Sequence, residues 1–465
     1  MTRRLGLSLL GLVLVLASPN CRRSEAEPRD PLAREAEEAL VAFLRIDTSN
    51  PPGNETVGAV FLRDHLTRAG IDARLVGDDP KRQGVYARLV SGTDEKALML
   101  VSHIDVVPAD PKAWTQPPFE GVRSGGYIWG RGALDVKSLT IAELFALLDL
   151  KRRGAKLNRD VVFLALPDEE MGGVRGAKLF LDKYPDLFAN VGFAINEGGA
   201  NETAVDRTLF WGIEVHQKVP LWLRLTAEGS GGHGAGPPEG GGATAKLVRA
   251  LAAVDALETP YRLTPSVARA IQGMAAVRTG IKREQLLLVR EPLDVARIQR
   301  EVPPGIRNLL HDTIAITTLD AGYAINAVPV KATAELDIRL LPDSDTAPML
   351  ERIKAAVGQN ATVEVVHAGT PSPESPTGGP LYDTIAAAMR AADPGSSVGP
   401  MLTAGASDSR YLRAKGITTY GVLPFKINYY DADSIHGTDE RIRARFFEDG
   451  VLLMRRIVRD FCERR

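Results

Sequence analysis

Apolar residues along this chain fall into two rhythms that change places near residue 216. In the first part, residues 32–46 set Leu32, Ala36, Leu40, Phe43 and Leu44 at helical spacing, and Pro51, Pro52 and Gly53 end the pattern. Residues 55–69 predict a second helix, stopped by Gly70. Strands are predicted at 72–76 and 84–91. Residues 97–106 open on a continuous apolar run, the pattern of a strand buried on both faces, and end in His103 and Asp105. A helix is predicted over 138–152, with Ile141, Leu144 and Leu148 on one face and Gly154 as its stop. Two more buried strands are predicted at 161–166 and 191–195. Strands alternating with helices imply an α/β fold with a mostly parallel sheet covered by helices on both faces.

From about 216 the pattern turns to strict alternation, with Val219, Leu221, Leu223 and Leu225 on one side, as in a sheet with one open face. A glycine-rich loop, 229–242, holds His233. Helical patterns follow at 243–256 and within 282–300. Alternation returns over 332–340, then a helix at 346–357 and a strand at 361–367. Residues 371–380 read as a linker. A strand near 417–423 and a helix near 440–460 return the chain to its first sheet. The expected organisation is one domain built from 34–215 and 371–465, interrupted by an inserted α+β domain at 216–370.

Composition adds an address and removes a class of partners. Of 465 residues, 44% are hydrophobic and 25% charged, and the net charge of −1 gives no electrostatic case for nucleic acid. At the N-terminus, Arg3 and Arg4 precede an apolar run at 5–17. This reads as a secretory signal over 1–21, too short to span a bilayer comfortably. Cys21 stands where a bacterial lipoprotein carries its lipid, and 22–33 reads as a tether. The protein is therefore expected to be exported: periplasmic, lipid-anchored to a membrane, or secreted. Cys462, the other cysteine, lies at the opposite end, so there is no disulfide framework.

Chemistry gathers where the predicted strands end. His103 and Asp105 close one, Asp168, Glu169 and Glu170 another, Asn196 and Glu197 a third; Asp135 and His436 join them from loops. Ligands of open α/β sheets bind at the carboxyl ends of the strands. Imidazole and carboxylate without thiolate suit Zn²⁺, and also Co²⁺ or Mn²⁺. His103, Asp135, Glu170, Glu197 and His436, with Glu169 besides, are too many ligands for one ion and suit two that share a carboxylate. On extended backbone Glu169 and Glu170 point opposite ways, so one can ligate while the other acts as general base. Asp105 can hold the second nitrogen of His103.

These segments resemble the M20 metallopeptidases, a family that includes carboxypeptidase G2, carboxypeptidase S and the aminoacylases. The resemblance is carried by Ser102 to Pro108, Trp114 with Pro117 to Phe119, Tyr127 to Asp135, Asp168 to Glu170, Asn196 to Gly198 and Ile435 to Gly437. It implies a di-zinc exopeptidase-like fold and two zinc ions. Asp135 would bridge them, with His103 and Glu197 completing one site and Glu170 and His436 the other. Glu169 would be the general base and Asp105 would orient His103. It implies a cis peptide at Asp135–Val136, where Val136 departs from the polar or acidic residue of many relatives. The inserted domain resembles the family's lid or dimerisation domain. Its His233, within Gly231 to Gly234, would stabilise the oxyanion, from the partner subunit in dimeric members. Asn326 and Arg339 match substrate-binding positions, Arg339 as a clamp on a carboxylate. Gly405 and Arg410 would line the substrate pocket, with Ser407 where threonine is common.

The expected function is a two-metal hydrolase cleaving an amide bond next to a free carboxylate, as a carboxypeptidase of small peptides. The alternatives are an N-acyl-amino-acid deacylase and a metal-binding protein without turnover. A serine hydrolase is excluded, because residues 405–409 lack the second glycine of a nucleophile elbow. The chain is expected to be a monomer or a homodimer through the inserted domain, with residues 259–318 favouring the monomer by altering that domain's exposed edge. His65, His216, His311 and His367 are expected to be structural or solvated.

Overall fold

The computed structural model describes residues 29–464. The signal at 1–21, Cys21 and most of the tether lie outside the described residues. In chain order the strands are β1 (Ala73–Val76), β2 (Gly84–Leu89), β3 (Ala97–His103), β4 (Val122–Ser124), β5 (Tyr127–Trp129), β6 (Val161–Leu166), β7 (Val191–Asn196), β8 (Ala200–Ala204) and β9 (Arg207–Gln217). Then come β10 (Val219–Glu228), β11 (Gly232–His233), β12 (Thr313–Ala321), β13 (Ala327–Val328), β14 (Lys331–Leu340), β15 (Thr362–Ala368), β16 (Ser397–Thr403), β17 (Thr418–Gly421) and β18 (Arg441–Arg443).

The large sheet runs β1-β2-β6-β3-β7-β17-β9-β16, with β8 paired to β9. Its centre is parallel: β3 pairs β6 on one side and β7 on the other, and β7 pairs β17. All seven residues of β3 are buried, as a run apolar on both faces requires. Alternation sends Leu98 and Leu100 into a core with Leu40, Phe43, Leu144 and Met454, from the helices Pro31–Leu44, Lys137–Arg152 and Ala444–Cys462. It sends Met99 and Val101 to the other face, against Phe180, Tyr411 and Leu412. β1 and β2 join antiparallel at one edge.

After β9 the chain enters an antiparallel sheet of order β12-β14-β10-β15. One face packs on the helices Gly242–Asp255 and Thr346–Val357, with Leu221, Leu223, Leu225, Leu247 and Ile353 in that core. The chain returns beside its exit: Ser375 N–H donates to Val215 O at 2.9 Å, and His216 Nε2 lies 2.8 Å from Ser372 O.

Residues 259–318 are the stretch expected to alter the exposed edge of the inserted domain. The helices between 259 and 312 do not cover the second sheet. The apolar stripe of Pro265–Ala276 (Val267, Ala270, Ile271, Met274) packs on Phe210 and Leu402, which belong to β9 and β16 of the large sheet. Gly273 permits this approach, since a Cβ there would come within 2.7 Å of the Phe210 ring. These helices leave β12 a bare edge: from Ala315 to Ala321 its residues are exposed.

Candidate metal centre

The carboxyl end of β3 delivers His103, 2% exposed. Its Nε2 lies 3.1 Å from Asp135 Oδ1 and 3.6 Å from Glu197 Oε1. Glu197 follows β7, and Asp135 lies between β5 and the helix Lys137–Arg152, with a cis Asp135–Val136 peptide. The other oxygen of Asp135 faces His436: Oδ2 to Nε2 is 3.1 Å, and the same Nε2 is 3.1 Å from Glu170 Oε2. Two groups of three thus form, His103–Asp135–Glu197 and Asp135–Glu170–His436, each close enough to hold a metal ion, with Asp135 common to both. Glu169 is in neither group and lines the cavity beside them.

Glu169 and Glu170 are not on extended backbone. They open a 3₁₀ turn, Glu169–Met171, between Asp168 (φ 75°) and Gly172 (φ 93°). Asp105 shapes that turn: its Oδ1 accepts from Glu169 N–H and its Oδ2 from Glu170 N–H, both at 3.1 Å, and Oδ2 also accepts from Asn50 at 2.8 Å. The Asp105 carboxylate is 3.6 Å from His103 Nδ1. The Asp105 backbone carbonyl, at 2.9 Å, is the closer partner of that nitrogen. This carboxylate thus faces the imidazole, as expected, and also accepts from the backbone of the glutamate turn. Asp168 is held from below by Arg82 at 2.8 Å, and Arg82 also pairs with Glu55 at 2.7 Å. Gly172 is required where it stands. Its φ is left-handed, and a Cβ would come within 2.7 Å of the His367 ring.

The charges fit divalent cations. Burial and the nearby Glu197 push Glu169 well above the usual carboxylate range, and burial with Asp135 raises Glu170. Burial also raises Glu197, against the pull of His103. Burial opposes ionisation of Asp135 too, yet hydrogen bonds from His103 and His436 hold it below its ordinary value. Hydrogen bonds to Asp135 and Glu170 lift His436 to about 10. Crowded carboxylates thus draw protons onto both imidazoles, a task a metal ion would take over. Glu170 Oε1 is buried with no hydrogen-bond partner, as expected of an atom built to face a cation.

The centre opens into a cavity of about 270 Å³ lined also by Pro220, Trp222, Arg339, Gly405, Ser407 and Arg410. Arg339 pairs bidentately with Asp337 (2.7 and 3.0 Å), which also accepts from Trp222 Nε1 at 3.1 Å. Arg410 lines the cavity, but its guanidinium is engaged with Ser407 O at 3.1 Å and Gly172 O at 2.7 Å. It ties the glutamate turn to the pocket wall. His233 and Asn326 lie elsewhere: both are exposed, on and beside the β11–β13 pair, and neither lines this cavity.

The residues missed from sequence are buried supports. His367, expected to be structural or solvated, is 8% exposed, packs against Trp222 with the rings tilted and 5.2 Å between centroids, and is pushed down to about 4 by burial and by Arg410 and Arg339. Asp408 is raised to about 7 by burial. Glu143, on the helix Lys137–Arg152, is fully buried beneath Ser102 and well above its ordinary 4.5, again through burial. Above 4.5 the folded state keeps a proton on Glu143 that the unfolded chain loses, so this group costs stability as pH rises. Glu143→Gln cannot ionise. Its advantage in Tm over wild type should grow as pH rises above the ordinary 4.5, measured by thermal denaturation; a pH-independent difference would contradict this assignment.

The family model for "Peptidase family M20/M25/M40" matches residues 99–460. Rat aminoacylase-1A is 28% identical over 427 residues, covering 90% of this chain and 92% of the relative. An N-fatty-acyl-amino acid synthase/hydrolase of Xenopus tropicalis is 29% identical over 393 residues, covering 78% and 73%. Among solved structures, the M20 family metallo-carboxypeptidase Sso-CP2 of Sulfolobus solfataricus superposes with a TM-score of 0.72 at 20% identity, covering 92% of this chain and 99% of that one. The chain belongs to peptidase family M20/M25/M40 and is a hydrolase of amide bonds.

Proposed function

We infer that this protein hydrolyses the amide bond joining an acyl or short peptidyl group to an amino acid with a free carboxylate, using two zinc ions. The observation that carries the reading is Asp135 shared between two three-ligand groups, with the uncommitted Glu169 beside both. Two cations held there would polarise the scissile carbonyl and acidify a water. Glu169 takes the proton of the attacking water and passes it to the departing nitrogen. Arg339, held flat by Asp337, receives the substrate carboxylate at the cavity wall. The similarity to rat aminoacylase-1A over most of both chains favours N-acyl amino acids; carboxypeptidase action on small peptides is the second reading.

The test is a panel of N-acyl amino acids and dipeptides, with wild type, chelator-treated protein and zinc added back. Turnover that disappears with chelator and returns with zinc is expected, and the preferred compound separates the two readings. Binding of two ions without turnover on any compound would favour the metal-binding protein.

A homodimer completes the site. His233 and Asn326 stand outside the cavity of their own chain, and β12 is a bare edge with Leu319 exposed, beside exposed Tyr323 and Ile325. A second copy pairing through this face would bring His233 of the partner subunit to the oxyanion. Sedimentation should show a dimer. Mixing His233→Ala with Glu169→Ala protein should restore up to about a quarter of wild-type activity, because each exchanged dimer then carries one complete site. No recovery after demonstrated subunit exchange would rule out delivery in trans.

A further inference from the structure

Four residues beyond His436, Glu440 is fully buried. Both of its oxygens are taken up by the loop that carries Asp135. Oε1 accepts from Leu134 N–H at 2.7 Å and Asp135 N–H at 3.0 Å. Oε2 accepts from Gly132 N–H at 3.1 Å and Arg131 Nη1 at 2.6 Å. The same guanidinium reaches the second loop, where Nη2 donates to Gly437 O at 2.8 Å and lies 3.4 Å from His436 O. The backbone adds a further tie, Gly130 N–H to Glu440 O at 3.0 Å, continued by the pairing of β5 with β18.

Burying a charged pair is expensive unless every polar atom finds a partner. Here the partners are the backbone groups on either side of two ligand-bearing residues. The second loop needs outside support, because His436 (φ 59°) and Asp439 (φ 60°) are non-glycine residues in the left-handed region. Asp439 is itself pinned by Thr115 N–H and Oγ1, both at 2.7 Å.

We propose that Glu440 is a positioning residue that, with Arg131, locks the loop bearing Asp135 against the loop bearing His436 and so sets the spacing of the second three-ligand group. This rests on the two-metal reading above. The lock should act unequally. In the group His103–Asp135–Glu197, two members come from β3 and from the residue after β7, independently of Glu440. In the group Asp135–Glu170–His436, two of three members hang on it. Glu440→Gln keeps the shape but loses the ion pair, and sets an amide NH₂ against N–H donors.

The test is Co²⁺ titration of the metal-free protein, followed by absorption and calorimetry. Wild type should take up two ions. Glu440→Gln should bind one with near wild-type affinity and the other about 10–100-fold more weakly, the usual loss when a supporting contact of a ligand is removed. Its kcat should fall at limiting metal and recover in excess metal with KM unchanged, which a merely structural defect would not allow. Equal affinities to wild type, or an equal loss for both ions, would overturn the proposal. Absence of Co²⁺ uptake by wild type would instead defeat the two-metal reading. If Glu440→Gln does not fold, Arg131→Lys carries the same test, because an ammonium lacks the rigid fork whose two nitrogens hold Glu440 and Gly437 O at fixed spacing. Unequal loss is expected there too, and unaltered binding would overturn the proposal.

Discussion

Glu169→Ala lowers kcat by about 10²–10⁴-fold while the chain still takes up two divalent ions. The expectation follows from position and charge. Glu169 lines the cavity next to both three-ligand groups and belongs to neither. Burial and Glu197 hold its pKa well above the ordinary carboxylate value, which is the direction a general base needs to work near neutral pH. Its neighbour Glu170 sits 3.1 Å from His436 and within the second group. The two glutamates are therefore separable by experiment. Steady-state kinetics on the best compound of the panel, beside metal titration of the same preparation, gives both quantities. Loss of activity with intact metal uptake assigns Glu169 to proton transfer. Loss of a bound ion along with activity would make Glu169 a ligand and reverse the roles of the pair. Activity within about tenfold of wild type, below what a lost general base costs, would remove it from the reaction.

The central strands and the cluster of acidic and imidazole residues at their ends were legible because both are local in sequence. A run such as 97–103, apolar at every position before its last two residues, has one stable environment, the middle of a covered sheet. Its abrupt end in His103 then marks the edge where ligands bind. The strand β9 was not legible. Glu214 and His216 interrupt its apolar pattern, and they are tolerated only because Arg413 pairs with Glu214 at 2.8 Å and Ser372 O meets His216. Between 259 and 312 the helical pattern within 282–300 was legible and the helix Pro265–Ala276 was not, and periodicity fixes a helix face and not its partner. The supports of the site failed to show for a related reason. Arg82 and Arg131 read as ordinary charged residues between predicted elements, and Glu55 and Glu440 as the first residues of predicted helices. Only the fold reveals that Arg82, Arg131 and Glu440 are buried against backbone or carboxylate of the ligand-bearing loops, and that Glu55 backs Arg82. The second engagement of the Asp105 carboxylate was not legible either, because the backbone turns at Asp168 to bring two N–H groups onto it.

Asp135→Asn should cost the centre both ions, where His436→Ala costs one. Each oxygen of Asp135 faces a different imidazole at 3.1 Å, so one carboxylate serves both three-ligand groups. An asparagine keeps the shape but brings no charge, and turns a donor toward one of the two groups. Affinity for both ions should then fall by more than the roughly 10–100-fold that loss of a supporting contact costs. The stabilisation that ions confer by binding only the folded chain should fall with it, read as a smaller rise in Tm on adding Zn²⁺. Protons provide a second readout. Without metal, Asp135 and Glu170 hold a proton on His436 up to about pH 10, and an ion must displace it. Metal uptake by wild type should therefore release protons and tighten as pH rises, as calorimetry in buffers of different ionisation enthalpy would report. In Asp135→Asn the restraint on both imidazoles weakens, so the release should shrink at neutral pH. If only one ion were lost, the two groups would be independent sites that happen to share an edge. Loss of both, with intact uptake of one ion by His436→Ala, would make Asp135 the residue on which the pair depends.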